Sequence, residues 1–103
     1  GHVLIQDSVA NYASFSFSQF KNVRFQQTAL SKFDFFESGF TKVEFDSCEL
    51  DGANFTETSL ATIDLSSCTY EQVTVSVDKL AGCTVSTEQA LGFAKSLGLV
   101  IKE

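Results

Sequence analysis

The sequence predicts a solenoid, a short unit coiled repeatedly around one narrow interior and closed by a helix. Three observations predict it: an apolar residue at every fifth position, a second column of small residues in step with the first, and a helix-start motif where the period stops.

The period runs through Phe15, Phe20, Phe25, Leu30, Phe35, Phe40, Phe45, Leu50, Phe55, Leu60, Leu65, Tyr70, Val75, Leu80 and Val85 without a slip. A helix repeats its buried face every 3.6 residues and a strand every 2, so a strict spacing of five suits neither. It marks an internal repeat, which takes precedence over local propensity.

The second column lies two residues before the first: Ala13, Ser18, Val23, Thr28, Ser38, Val43, Cys48, Ala53, Thr58, Ile63, Cys68 and Val73, with Phe33 and Asp78 as exceptions. Alternate members form two sets. Val23, Phe33, Val43, Ala53, Ile63 and Val73 are mostly larger, while Ser18, Thr28, Ser38, Cys48, Thr58 and Cys68 are smaller. Two inward columns in every five residues fill one narrow core.

These residues resemble the pentapeptide-repeat family, whose unit is Ala, then Asp or Asn, then Leu or Phe, then two variable residues. Ala53, Asn54 and Phe55 match that unit in full, and the phase holds from Val3 and Ile5 to Cys83 and Val85. The resemblance implies an all-β fold, a right-handed quadrilateral β-helix in which four pentapeptides make one square coil and residues twenty apart stack. Physical chemistry agrees, since coils hydrogen-bonded at a strand spacing of ~4.8 Å bury their core only by stacking. The eleven Phe then read as an aromatic ladder, and the absence of Pro spares every rung its backbone donor.

The 103 residues allow one small domain, and no apolar run approaches the ~20 residues of a membrane span. A soluble, cytoplasmic protein without a membrane partner is expected. Gly1 and His2 read as an appendage, and the chain as a fragment of a longer solenoid. An enzyme is not expected, because catalysis needs a nucleophile, a base and an orienting group converging in a pocket. Here His2 is the only histidine, no glycine-rich phosphate loop occurs, and the inward positions are filled by Phe, Leu and small residues. No cofactor or metal site is expected either. Cys48 and Cys68 stack one coil apart, within the Cα range of a disulfide, yet the odd count of three and their small-residue role favour reduced thiols.

The repeat ends near Val85. Ser86 and Gln89 match a capping box, and Gly98 can close a helix in the left-handed conformation, which predicts a helix over about 87–97. Residues 1–85 are thus read as the β-helix and 86–103 as a capping or dimerisation helix and tail. Ala90, Leu91, Phe93, Ala94 and Leu97 share one face. With Leu99, Val100 and Ile101 the apolar area exceeds what covering one coil requires. This ending resembles the C-terminal modules of quinolone-resistance (Qnr-type) pentapeptide-repeat proteins, which pair end to end. That predicts a homodimer through Phe93, Leu97, Leu99 and Ile101.

Charge is uneven. From Val43 to Asp78 there is no Lys or Arg, while Glu44, Asp46, Glu49, Asp51, Glu57, Asp64, Glu71 and Asp78 all fall there. At twenty residues per coil, Glu44, Asp46 and Asp64 share one side of the square and Glu49, Asp51 and Glu71 the adjacent side. Eight charges on about 9 Å of axis exceed the density of duplex DNA, about one per 1.7 Å. Like charges stacked one rung apart, Glu44 over Asp64 and Asp51 over Glu71, are expected to gain nothing from folding. The Qnr-type resemblance implies that such faces mimic DNA and bind a type II topoisomerase, DNA gyrase or topoisomerase IV, with no direct contact to nucleic acid. The alternatives are a solubilising surface, or a general protein-interaction module to which the outward Phe17 and Phe36 would contribute.

Overall fold

The computed structural model describes residues 2–103, so Gly1, placed in the solenoid by the sequence reading, lies outside it. The repeats wind into a parallel β-solenoid of about four turns. Strand β1 (Val3–Gln6) pairs with β2 (Gln19–Gln26), β2 with β3 (Gly39–Asp46), and β4 (Asn54–Phe55) with β5 (Thr74–Val75). Every register is offset by twenty: Val3 opposes Val23, Phe25 opposes Phe45, and Asn54 opposes Thr74. Single bridges such as Val9 to Ala29 and Asp34 to Asn54 continue the same offset on the remaining sides.

The spacing of five follows from the corners. Between one central residue and the inward residue three positions on, the chain makes a hydrogen-bonded turn, with Phe33 N donating to Leu30 O, 3.1 Å, and Ile63 N to Leu60 O, 3.0 Å. Its third residue has positive φ, as a type II turn demands. Eleven non-glycine residues accept that conformation, among them Lys32 (φ 55) and Glu57 (φ 58), while Gly52 and Gly82 take it without strain. Each non-glycine costs about 1 to 2 kcal/mol. The offset comes from bonds to the next coil, such as Lys32 N to Asp51 O, 2.8 Å.

Inside, Phe25 lies parallel to Phe45 with centroids 5.1 Å apart, and Phe35 parallel to Phe55 at 5.2 Å. Rings on opposite sides meet edge to face, as Phe35 and Phe45 do at 5.8 Å. Leu30, Leu50, Leu60, Ile63 and Leu65 complete the buried core. Phe33, out of pattern in the sequence, is buried too and stacks 4.2 Å from Phe35. The other exception, Asp78, sits in a 3-10 turn, Val77–Lys79.

The alternation within the second column has a hydrogen-bonding cause. On two opposite sides the small residue carries a donor that reaches a carbonyl of the coil before it: Thr28 to Ile5 O (3.2 Å), Ser38 to Phe15 O (3.0 Å) and Thr58 to Phe35 O (2.6 Å). Cys48 and Cys68 do the same with thiols, to Phe25 O (3.3 Å) and Phe45 O (3.4 Å). The hydroxyls also accept, from Ser38 N to Thr58 and from Ser18 N to Ser38. On the other two sides Val43, Ala53 and Ile63 simply fill space. All three cysteines are free.

Helix α1 (Thr87–Ser96) closes the far end. Ser86 and Gln89 form the full capping box, and Gln89 Nε2 also donates to Leu65 O (2.8 Å) and Cys68 O (3.2 Å), fastening the helix to the last coil. Gly98 (φ 88) ends it in a Schellman arrangement, with Gly98 N on Lys95 O and Leu99 N on Ala94 O.

Candidate acidic interface and helical end

The carboxylates sit outside because the turn and strand positions between inward columns face water. On β3, Asp46 lies above Gln26 of β2 and Glu44 directly above Arg24. Its guanidinium spans both, with Nε 3.6 Å from Glu44 and Nη2 3.0 Å from Asp46. The hydrogen bond from Arg24, then that from Ser47, holds the Asp46 carboxyl below its ordinary pKa. Asp64 follows on the same side, where its carboxylate accepts from Ser66 N (2.8 Å) and Ser66 Oγ (2.6 Å) and is lowered by those bonds.

On the adjacent side Asp51 has a structural task. Its Oδ1 accepts from the backbone N–H of Glu71 and of Gln72, both at 3.2 Å, one coil above. The expectation that Asp51 over Glu71 gains nothing from folding is therefore corrected: the carboxylate ties two coils together through main chain. Lys32 lies alongside, its Cγ so close over Gly52 that a Cβ there would stand 2.9 Å from it. Lys32, Asp51, Gly52 and Glu71 share one shallow depression. Glu49 and Glu71 are exposed.

The sequence reading missed Arg24 and Lys32 because both precede the stretch without bases. The signal was available in the register, since Arg24 lies twenty residues before Glu44 and Lys32 twenty before Gly52.

At the helical end the four interface candidates part company. Phe93 packs on Tyr70 of the last coil, centroids 6.3 Å apart, and is half-buried, as is Ile101. Leu97 and Leu99 are exposed, together with Leu91 and with Val100, which is 96% exposed. The Tyr70 hydroxyl is buried without a hydrogen-bond partner among the described residues, and burial pushes its pKa up to about 12. No described helix is long and apolar enough to cross a membrane.

Residues 18–60, less than half of the chain, match the family model for pentapeptide repeats in eight copies. A 32-residue segment, 31% of this chain and 15% of the relative, is 53% identical to the uncharacterized protein YisX of Bacillus subtilis strain 168. Among solved structures, a trypsin-treated variant of QnrB1, a plasmid-mediated fluoroquinolone resistance protein, aligns with 96% of this chain at 18% identity and a TM-score of 0.38. A second such variant aligns with 92% at 18% identity and a TM-score of 0.36. The alignments span 58% of each QnrB1 chain. Over residues 18–60 the solenoid, with its five-residue corners and twenty-residue coils, matches pentapeptide repeats.

Proposed function

We propose that this chain is a non-catalytic, cytoplasmic protein-binding solenoid whose acidic sides occupy a cationic groove built to hold DNA. A type II topoisomerase, DNA gyrase or topoisomerase IV, is the partner to test first. One observation carries the reading: exposed Glu44, Glu49, Asp64 and Glu71 lie on adjacent sides of a rod measuring 46 × 24 × 22 Å, with no basic residue between Val43 and Asp78. A narrow rod with negative charge along two sides offers a DNA groove complementary potential. Arg24 pairs with Glu44 and Asp46 on one side, and Lys32 shares a depression with Asp51 and Glu71 on the other, so Glu49 is the stronger contributor. Homodimerisation through Leu97 and Leu99, supported from behind by Phe93 and Ile101, would lengthen the rod. Supercoiling by gyrase and relaxation by topoisomerase IV, measured with increasing amounts of the chain, test the proposal. Inhibition relieved by added DNA supports it; unchanged activity of both enzymes overturns it.

A second reading has its own observation. Phe17 and Phe36 meet edge to face at 5.6 Å on the outer surface, and Phe17 is exposed. An exposed aromatic pair suits a general protein-interaction module, and loss of binding on changing Phe17 rather than the glutamates would favour it.

A further inference from the structure

One dipeptide carries reactive chemistry of its own. Asp51–Gly52 is the single place in the sequence where Asp or Asn precedes Gly. A side-chain carboxyl there lies one five-membered ring away from the next backbone nitrogen, and glycine, having no Cβ, leaves that nitrogen open to approach. Both residues are exposed, so burial does not shield them.

The corner uses both residues. Gly52 (φ 74) takes the left-handed position of the turn closed by Ala53 N on Leu50 O at 2.9 Å, and the Lys32 side chain packs across it. Asp51 offers Oδ1 to Glu71 N and Gln72 N. The peptide unit joining the pair is gripped at both ends. Asp51 O accepts from Lys32 N in the coil before (2.8 Å), and Gly52 N donates to Gln72 O in the coil after (2.7 Å). Ring closure must bring Gly52 N onto Cγ of Asp51. That turns the peptide unit away from both main-chain partners and takes the carboxylate off its two N–H donors.

We propose that Asp51–Gly52 is a site of backbone isomerisation, converting to isoaspartate when its corner opens and held unreacted while Lys32, Glu71 and Gln72 grip it. In the opened corner Gly52 N attacks Cγ, the new N–C bond forming as the carboxyl group loses water and the nitrogen loses its proton. Water then adds to the α-carbonyl of the imide and cleaves its bond to nitrogen. No atom is gained or lost overall. The main chain now runs through Cβ and Cγ, one methylene longer, and the carboxylate is displaced from Glu71 and Gln72. A side with an added backbone atom falls out of the twenty-residue register of its neighbours, so the product does not re-form the corner.

The chain is held at neutral pH, folded in buffer or unfolded in guanidinium chloride. Isoaspartate is counted with an isoaspartyl methyltransferase and a labelled methyl donor, and located by peptide mapping. Asp51→Glu in denaturant is the blank, because its imide would need a six-membered ring. The unfolded chain is expected to accumulate isoaspartate at residue 51 roughly tenfold faster or more than the folded chain, since reaction follows the open fraction. Equal rates in the two states, or no isoaspartate at residue 51 in the unfolded chain, overturn the proposal. In a second arm the converted chain is purified and returned to buffer. It is expected to melt at lower temperature than the parent and to lose amide protection at Glu71 and Gln72. Unchanged melting and protection overturn the claim that the corner fails to re-form.

Discussion

Thr58 stands one coil above Ser38: its hydroxyl donates to Phe35 O at 2.6 Å and accepts from Ser38 N at 3.0 Å. One buried side chain thus satisfies a donor and an acceptor of the main chain. Thr58→Val keeps the volume but removes both bonds, and is expected to cost about 1 to 3 kcal/mol. Thr58→Ser keeps the hydroxyl and should cost clearly less. Urea denaturation of the two variants checks the order; equal stability would remove the hydroxyl ladder from the account.

Phe45→Ala or Phe55→Ala opens a cavity between stacked rings and should cost about 3 to 5 kcal/mol. The parallel pairs Phe25 with Phe45 and Phe35 with Phe55 leave little room for collapse. Thermal and chemical denaturation measure the loss, and a change below about 1 kcal/mol at both sites would contradict this packing.

The repeat phase and the helix were legible because each coil buries the same positions and because Ser86, Gln89 and Gly98 use local signals. What was not legible required knowing which atoms meet across coils. Asp51 looked like surplus charge until its oxygen was seen on the N–H groups of Glu71 and Gln72. Likewise Gln89 read as a cap alone, whereas its amide also holds Leu65 O and Cys68 O. Ser, Thr and Cys in the second column read as small; their function there is to donate.

Arg24→Gln should raise the pKa of Asp46 toward its ordinary 3.8, since the arginine bond is the largest cause lowering it. The sign follows from linkage. A depressed folded pKa stabilises above the unfolded value and that stabilisation disappears as pH falls through the folded value. The parent should therefore lose this small contribution as pH falls below 3.8, and Arg24→Gln should lack the arginine's share of it throughout, keeping only that of Ser47. Carboxyl chemical shifts followed against pH test this, and an unmoved Asp46 titration would contradict it. The same variant bares Glu44 and Asp46, so a cationic partner should bind it more tightly.

Leu97→Asp combined with Leu99→Asp should abolish any two-fold pairing while leaving the cap intact, because both side chains are exposed and Phe93 keeps its contact with Tyr70. Sedimentation across concentration reads the outcome. A parent that stays monomeric at high micromolar concentration rules out the dimer.

The most direct test of the acidic sides is the affinity of the chain for purified gyrase at low and moderate salt, beside a variant carrying Glu44→Gln, Glu49→Gln and Glu71→Gln. These three leave the backbone bonds of Asp51 untouched, so the fold should persist. The account predicts tight binding by the parent that weakens steeply with salt, and much weaker binding with a shallower salt dependence for the variant. Equal affinity of the two proteins, or no binding by either, would contradict it.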